Sequence, residues 1–312
     1  MYIHFRKAFK PSFLFFCMKR KLVKQGAATM MISLPSKWIQ ANELKKGDEI
    51  DIEETGNDLH ISLDEKQKKL ETSLKLISLT ETSIRTLITN TYRAGYDKIN
   101  IEFENNEQFK ILKKVIETRL IGFEITKKQS KSCIVENITE PSSDQFDNIL
   151  NKMFMNIEEL FEITKKRLQG EKTEDFEDIA NIIQKYDNFC RRVIIKRKLT
   201  ENRSEMFWSF LSLIIHGQRE LYYLNKSIKK IKASKEQQEL LEGAYEIFKI
   251  LEKTYKEKNI SLLNKIHEMQ KQLIYKKGYS LLNKPNSIIT YHLMASIREF
   301  YQANSPLSGL LM

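Results

Sequence analysis

The period of the hydrophobic positions changes along the chain. Between Lys19 and Leu63 apolar residues come in short alternating runs: Leu22 and Val23, Met30 to Leu34, Glu49 to Glu54 and Leu59 to Leu63. Each run fits a strand with one covered face. Gln25-Gly26, Lys46-Gly47-Asp48 and Thr55-Gly56-Asn57-Asp58 carry turn chemistry between them, the last closing a hairpin. Pro35 is suited to the first turn of a short helix over Ser36 to Ala41, which carries Trp38 and Ile39. The expected order is strand, strand, helix, strand, strand.

Beyond this region the period lengthens. Asp64 to Ala94 reads as a long helix with Leu70, Leu74, Ile77, Ile84, Leu87 and Ile88 on one stripe, spacing the domains. A small α+β segment follows Gly95: a strand from Ile99 to Phe103, a helix from Glu107 to Leu120, and strands at Phe123 to Thr126 and Cys133 to Glu136. Pro141-Ser142-Ser143 then starts a run of helices near 142–169, 173–199, 204–232, 235–257, 260–277 and 286–302. An internal echo relates their halves. Arg219-Glu220-Leu221-Tyr222 with Asn225 returns as Arg298-Glu299-Phe300-Tyr301 with Asn304, and an uncharged run precedes each. Two similar three-helix bundles are expected, the third helix of each being the buried one.

Composition agrees with a mainly α, multidomain chain. Its 312 residues exceed one ordinary domain, and ten glycines with five prolines are too few for Gly-rich nucleotide folds or β-sandwiches. The boundaries expected are an extension at 1–17, a β-domain at 18–63, a linker helix with the α+β segment at 64–140, a helical domain at 141–305 and a tail at 306–312. Met18 is expected as the native start. The uncharged runs Met206 to Gln218 and Pro285 to Ile297 are shorter than the roughly 20 residues a membrane span requires, so no membrane insertion is expected. Cys17, Cys133 and Cys190 are scattered and odd in number, which points to a reducing, cytoplasmic setting rather than a disulfide framework.

The net charge of +11 favours a polyanionic partner. Its location says more. Lys19, Arg20, Lys21, Lys24, Lys37, Lys45 and Lys46 face only Glu43 as far as Lys46, and then Asp48, Glu49, Asp51, Glu53, Glu54 and Asp58 follow. A small domain with one basic and one acidic side suits contact with phosphates; a merely solvated charged surface is the plainer alternative.

Three linked segments carry a resemblance. Lys24-Gln25-Gly26, then Ile32-Ser33-Leu34-Pro35-Ser36-Lys37-Trp38, then Leu44-Lys45-Lys46-Gly47-Asp48-Glu49-Ile50 resemble the SpoVT/AbrB family. That resemblance implies a swapped-hairpin β-barrel built by a homodimer, with Arg20, Lys21, Lys24 and Lys37 facing DNA. Such contacts would reach phosphates with little base specificity, because no arginine fork stands among Gln25, Ala27, Ala28 and Thr29. Ala94 to Ile99 and Leu120 to Ile125, with the doubled bundle, are similar to archaeal PhoU-like phosphate uptake regulators that carry an AbrB domain in front. Together these resemblances imply a DNA-binding transcriptional regulator of phosphate homeostasis whose helical domain is a sensor or interaction module. The alternative they leave open is an interaction protein that negatively regulates phosphate transport or signalling, its β-domain being only a dimer clamp.

No enzyme is expected: nucleophile elbow, phosphate-cradling loop and dinucleotide fingerprint are all missing from the sequence. Nor is a metal or other cofactor. PhoU-type domains carry acidic E-x-x-x-D runs on inner helices, but here Asp187 alone remains near Ile182 to Arg192, and Glu171, Asp175, Glu174 and Asp178 sit at a helix start. His216 and Glu220, one turn apart, read as a packed helix pair. His267-Glu268 lacks the second histidine of a metalloprotease motif, since Lys271 takes its place. The aromatic residues Phe207, Trp208, Phe210, Tyr222, Tyr223, Tyr291 and Tyr301 read as packing stripes.

Overall fold

A computed structural model describes residues 19–25, 29–55, 58–62, 69–139, 141, 145–173, 175–197, 203–228 and 232–312. The expected extension at 1–17, Met18, the glycine of the first turn, Gly56-Asn57 and Ser142-Ser143 lie outside them. The chain divides into two compact units, 1–68 and 69–312.

In the first unit, β1 (Val23–Gln25) pairs antiparallel with β2 (Thr29–Met31), and β3 (Asp51–Thr55) with β4 (Asp58–Ser62). The order matches the pattern. Pro35 stands at the cap of α1 (Ser36–Ala41), its carbonyl accepting from the amides of Trp38 and Ile39. Gly47 supplies the left-handed turn, with φ of 99°, and the Asp48 carboxylate accepts from the Lys45 amide at 2.6 Å. Among the described residues one chain forms two separate two-stranded sheets rather than a closed barrel. Strands of three and five residues have too short a ladder to enclose an interior alone.

The second unit opens with a lobe ordered β5-β6-β8-β7 across its sheet, formed by β5 (Glu71–Lys75), β6 (Lys98–Glu102), β7 (Phe123–Lys128) and β8 (Ser132–Asn137). β5 runs parallel to β6, and the other pairings are antiparallel. Between them lie α2 (Glu81–Arg93) and α3 (Asn106–Arg119), capped by the side chains of Thr80 and Asn105. Ile84, Ile88 and Tyr92 of α2 meet Ile99, Ile101 and Val135 of the sheet in a closed core.

The single long helix expected over 64–94 is therefore corrected: 71–75 is a strand and the helix starts only at Glu81. Over so short a window Leu70, Leu74 and Ile77 fit either period. Pairing decides, since the Asp97 amide donates to the Leu70 carbonyl and the Leu76 amide to the Glu102 carbonyl. Ile77, counted on the helical stripe, is 83% exposed.

The helical part comprises α4 (Phe146–Gln169), α5 (Phe176–Arg197), α6 (Ser204–Ser227) and α7 (Lys235–Glu257), then α8 (Asn264–Gln270), a π-helical stretch over Lys271–Gly278, α9 (Tyr279–Leu281), α10 (Ser287–Gln302) and α11 (Asn304–Leu311). α4, α5 and α6 pack as one bundle, and α7, α10 and the α8 region as another. A single continuous core serves both. The tail expected at 306–312 is corrected as well: α11 buries Pro306, Leu307 and Leu310. Pro306 sits in its first turn, where a missing N–H breaks no helical bond.

α6 and α10 run antiparallel through the centre. Gly217 permits their close approach, since a Cβ there would lie 2.5 Å from Phe300 Cε1. Ser296 Oγ donates to the Gly217 carbonyl at 3.0 Å. Among the described residues no helix is long and apolar enough to cross a membrane.

Candidate functional site

Arg20 and Lys21 precede β1, Lys24 is its central residue opposite Met30, and Lys37 stands separately in the first turn of α1. All four are exposed. Exposed alongside them are the apolar side chains Leu22, Val23, Met30, Met31 and Ile32, and Ile52 and Leu59 on the second hairpin. No side chain described in 19–62 is buried.

Asp187 sits on α5, wholly buried, with Oδ2 accepting from Arg93 Nη2 at 2.9 Å and Oδ1 from Arg191 Nε at 2.8 Å. Its oxygens hold cations of the protein itself. Asp175 Oδ1 accepts from the Glu177 amide at 2.8 Å, so it caps α5; Glu174 lies outside the described residues. Among the described residues no group of three His, Cys, Asp or Glu side chains converges as a metal site.

His216 and Glu220 do not converge either. His216 Nδ1 lies 3.7 Å from Glu299 Oε2, whereas Glu220 Oε2 lies 2.8 Å from His292 Nδ1. The two glutamates of the sequence echo, Glu220 and Glu299, each reach a histidine on the opposite central helix. The aromatic residues mostly pack as expected, with Phe207 and Phe210 stacked on Tyr255 and Trp208 under the Arg191 guanidinium. Tyr291 remains 57% exposed. Burial pushes the Cys133 thiol up to about 11 and the Cys190 thiol well above its ordinary value, which leaves both unreactive as nucleophiles near neutrality.

α5 also fixes the lobe to the bundles through buried charge. Arg192, with no exposed surface, donates to the carbonyls of Tyr92 and Tyr96 at 2.8 and 2.9 Å and pairs with Asp97, while its guanidinium stacks on the Tyr92 and Phe123 rings. Lys196 Nζ donates to the same Asp97 at 2.7 Å. Burial raises the Asp97 carboxyl, but the Lys196 hydrogen bond and the two neighbouring cations outweigh it and hold the group below the usual carboxylate range.

Beside this joint, α2, the end of α3, α5 and α6 enclose a cleft of about 400 Å³. Arg85, Arg93, Arg119 and Arg219 line it, and no carboxylate does. Thr82, Arg85, Thr86, Thr89, Asn90 and Arg93 recur at helical spacing on the side of α2 away from its core residues. That acid-free stripe is the one signal in the sequence that could have found the cleft. Burial, with Arg191 and Arg219 nearby, pulls Arg93 below the ordinary arginine range despite Asp187; burial and then Arg85 do the same to Arg119.

Comparison of the chain with family models, with curated proteins and with solved structures gives no match.

Proposed function

We propose that the chain is a DNA-binding regulator that works as a homodimer, its N-terminal unit resembling SpoVT/AbrB domains and its helical part resembling PhoU-type modules. One observation carries the reading. Among the described residues of the N-terminal unit no side chain is buried, and seven large apolar residues from Leu22 to Leu59 stand exposed in the same unit as the exposed Arg20, Lys21, Lys24 and Lys37. An apolar surface of this kind calls for a covering partner. A second copy supplies one by pairing like faces, as twofold dimers do, and doubles the local positive charge. Two such basic sides suit phosphate contacts along a duplex, with register set by charge and groove shape more than by base edges.

The test is a salt titration of duplex binding by the full chain. Each phosphate contact contributes a slope of about −0.9 in log K against log salt. Replacing Arg20, Lys21 and Lys24 together by alanine should weaken binding and flatten the slope. An unchanged slope would refute these contacts. A homodimer that ignores DNA even at low ionic strength would instead favour the dimer clamp of an interaction protein in phosphate transport or signalling.

A further inference from the structure

The four guanidiniums of the cleft carry more positive charge than the protein neutralises. Glu81 reaches Arg85 at 4.0 Å but also binds Lys114 at 3.3 Å, and Asp187 is shared between Arg93 and Arg191. Among the described residues no carboxylate lies within 4.0 Å of the guanidinium of Arg119 or of Arg219. Arg119 Nη1 is buried without a hydrogen-bond partner, as is Oε1 of Gln218, a residue only 2% exposed that also lines the cleft. Of the two, Arg119 Nη1 is a donor, and an unpaired buried donor is rare in folded proteins because it forfeits its hydration.

Arg93 is already aimed. Its Nε donates to Asn188 Oδ1 at 2.8 Å and its Nη2 to Asp187, and Asn188 Nδ2 in turn donates to the Arg119 carbonyl at 2.8 Å. α5 thus clamps both inner arginines, one by its side chain and one by its backbone. Arg85 and Arg219 stand nearer the rim. Around them Asn90, Asn181 and Gln184 offer amides, and Tyr222 and Tyr223 offer ring faces.

We propose that this cleft binds a small molecule carrying two or more phosphoryl groups, of the nucleoside diphosphate kind. Guanidinium forks match phosphate oxygens bidentately. The volume lies in the range of small-molecule sites, which begins at about 300 Å³, and exceeds what a single inorganic phosphate fills. An excess of positive charge shared by several forks favours a polyanion over a monocarboxylate. The amides and tyrosine rings suit the uncharged body of such a ligand. Burial is the larger cause of the lowered Arg93 and Arg119 values, and neighbouring cations add to it, Arg191 and Arg219 at the first and Arg85 at the second.

This inference is independent of DNA binding, and its test uses the full chain with free anions. Isothermal titration at low salt, without magnesium, compares ADP, pyrophosphate and inorganic phosphate. ADP and pyrophosphate are expected to bind, and inorganic phosphate at least about tenfold more weakly. Arg119→Gln and Arg219→Gln should each weaken ADP binding about tenfold, the equivalent of about 1.4 kcal/mol. Arg219 is exposed, so its variant keeps its thermal unfolding even if the Arg119 variant does not, and it then decides alone. Lys265→Gln, at an exposed cation outside the cleft, should change nothing. Silence from both ADP and pyrophosphate would overturn the proposal, as would equal affinity for inorganic phosphate, undiminished binding by Arg219→Gln, or an equal loss in Lys265→Gln. A short duplex that loses affinity in Arg219→Gln while no small anion binds would make the cleft a nucleic-acid surface, and the proposal would fail.

Discussion

Leu22 in the N-terminal unit is 67% exposed, whereas Leu150 in α4 is 1% exposed, and the contrast runs through the two units. The described residues of 19–62 form two hairpins and a short helix, and none of their described side chains is buried. The described residues of 69–312 gather many of theirs into two buried clusters and hold Arg192 and Asp187 out of water as well, Arg192 paired with Asp97 and Asp187 with Arg191. The lesson is that local backbone preferences suffice to shape hairpins, but a core needs more chain than the small unit has by itself.

This comparison can be broken or sharpened by substitution. The largest effect is expected at Asp97. Asp97→Ala leaves the fully buried Arg192 without its carboxylate, so urea unfolding of the full chain should show a loss of about 3–5 kcal/mol. A loss below about 1 kcal/mol would mean that the buried ion pair does not hold the lobe to the bundles. The same group sets an acid limit. Its folded carboxyl titrates below the ordinary value of 3.8, so its stabilisation is complete above that value and is lost as pH falls through the lower, folded one. Melting temperature followed downward from pH 5 should fall more steeply in the parent chain than in Asp97→Ala.

Next in size is Gly217→Ala, where the new methyl would meet the Phe300 ring at 2.5 Å. A loss of about 1–3 kcal/mol is expected. Phe300→Leu in the same chain should recover part of it, and additive losses from the pair would disprove the close approach. Smallest is Met30→Ser in the N-terminal unit. Melting of the main transition should shift by less than about 0.5 kcal/mol, because Met30 is 60% exposed. Light scattering should meanwhile show weakened self-association. A large loss of stability with an unchanged mass would overturn the covering-partner argument.

Much of the fold was legible because its signals are local. Pro35 before Ser36 and Gly47 in its turn each act within a few residues. The echo of Arg219-Glu220 in Arg298-Glu299 marked the two central helices, which do pack on each other. β5 was misread because five residues can satisfy two periods until a partner strand chooses one. The tail expected at 306–312 missed α11, a short helix of eight residues with Pro306 in its first turn.

By itself the sequence determined local turns, the short elements they bound, and where the charge lies along the chain. Tertiary structure alone decided the partners. Asp187 became a clamp for Arg93 and Arg191; Asp97 was given to Arg192 and Lys196; and four arginines scattered from Arg85 to Arg219 were brought to one cleft. The physical reason is one of range. Backbone preference and capping act between neighbours in the chain, whereas a charge takes its worth from whatever burial sets beside it and from how much water that removes.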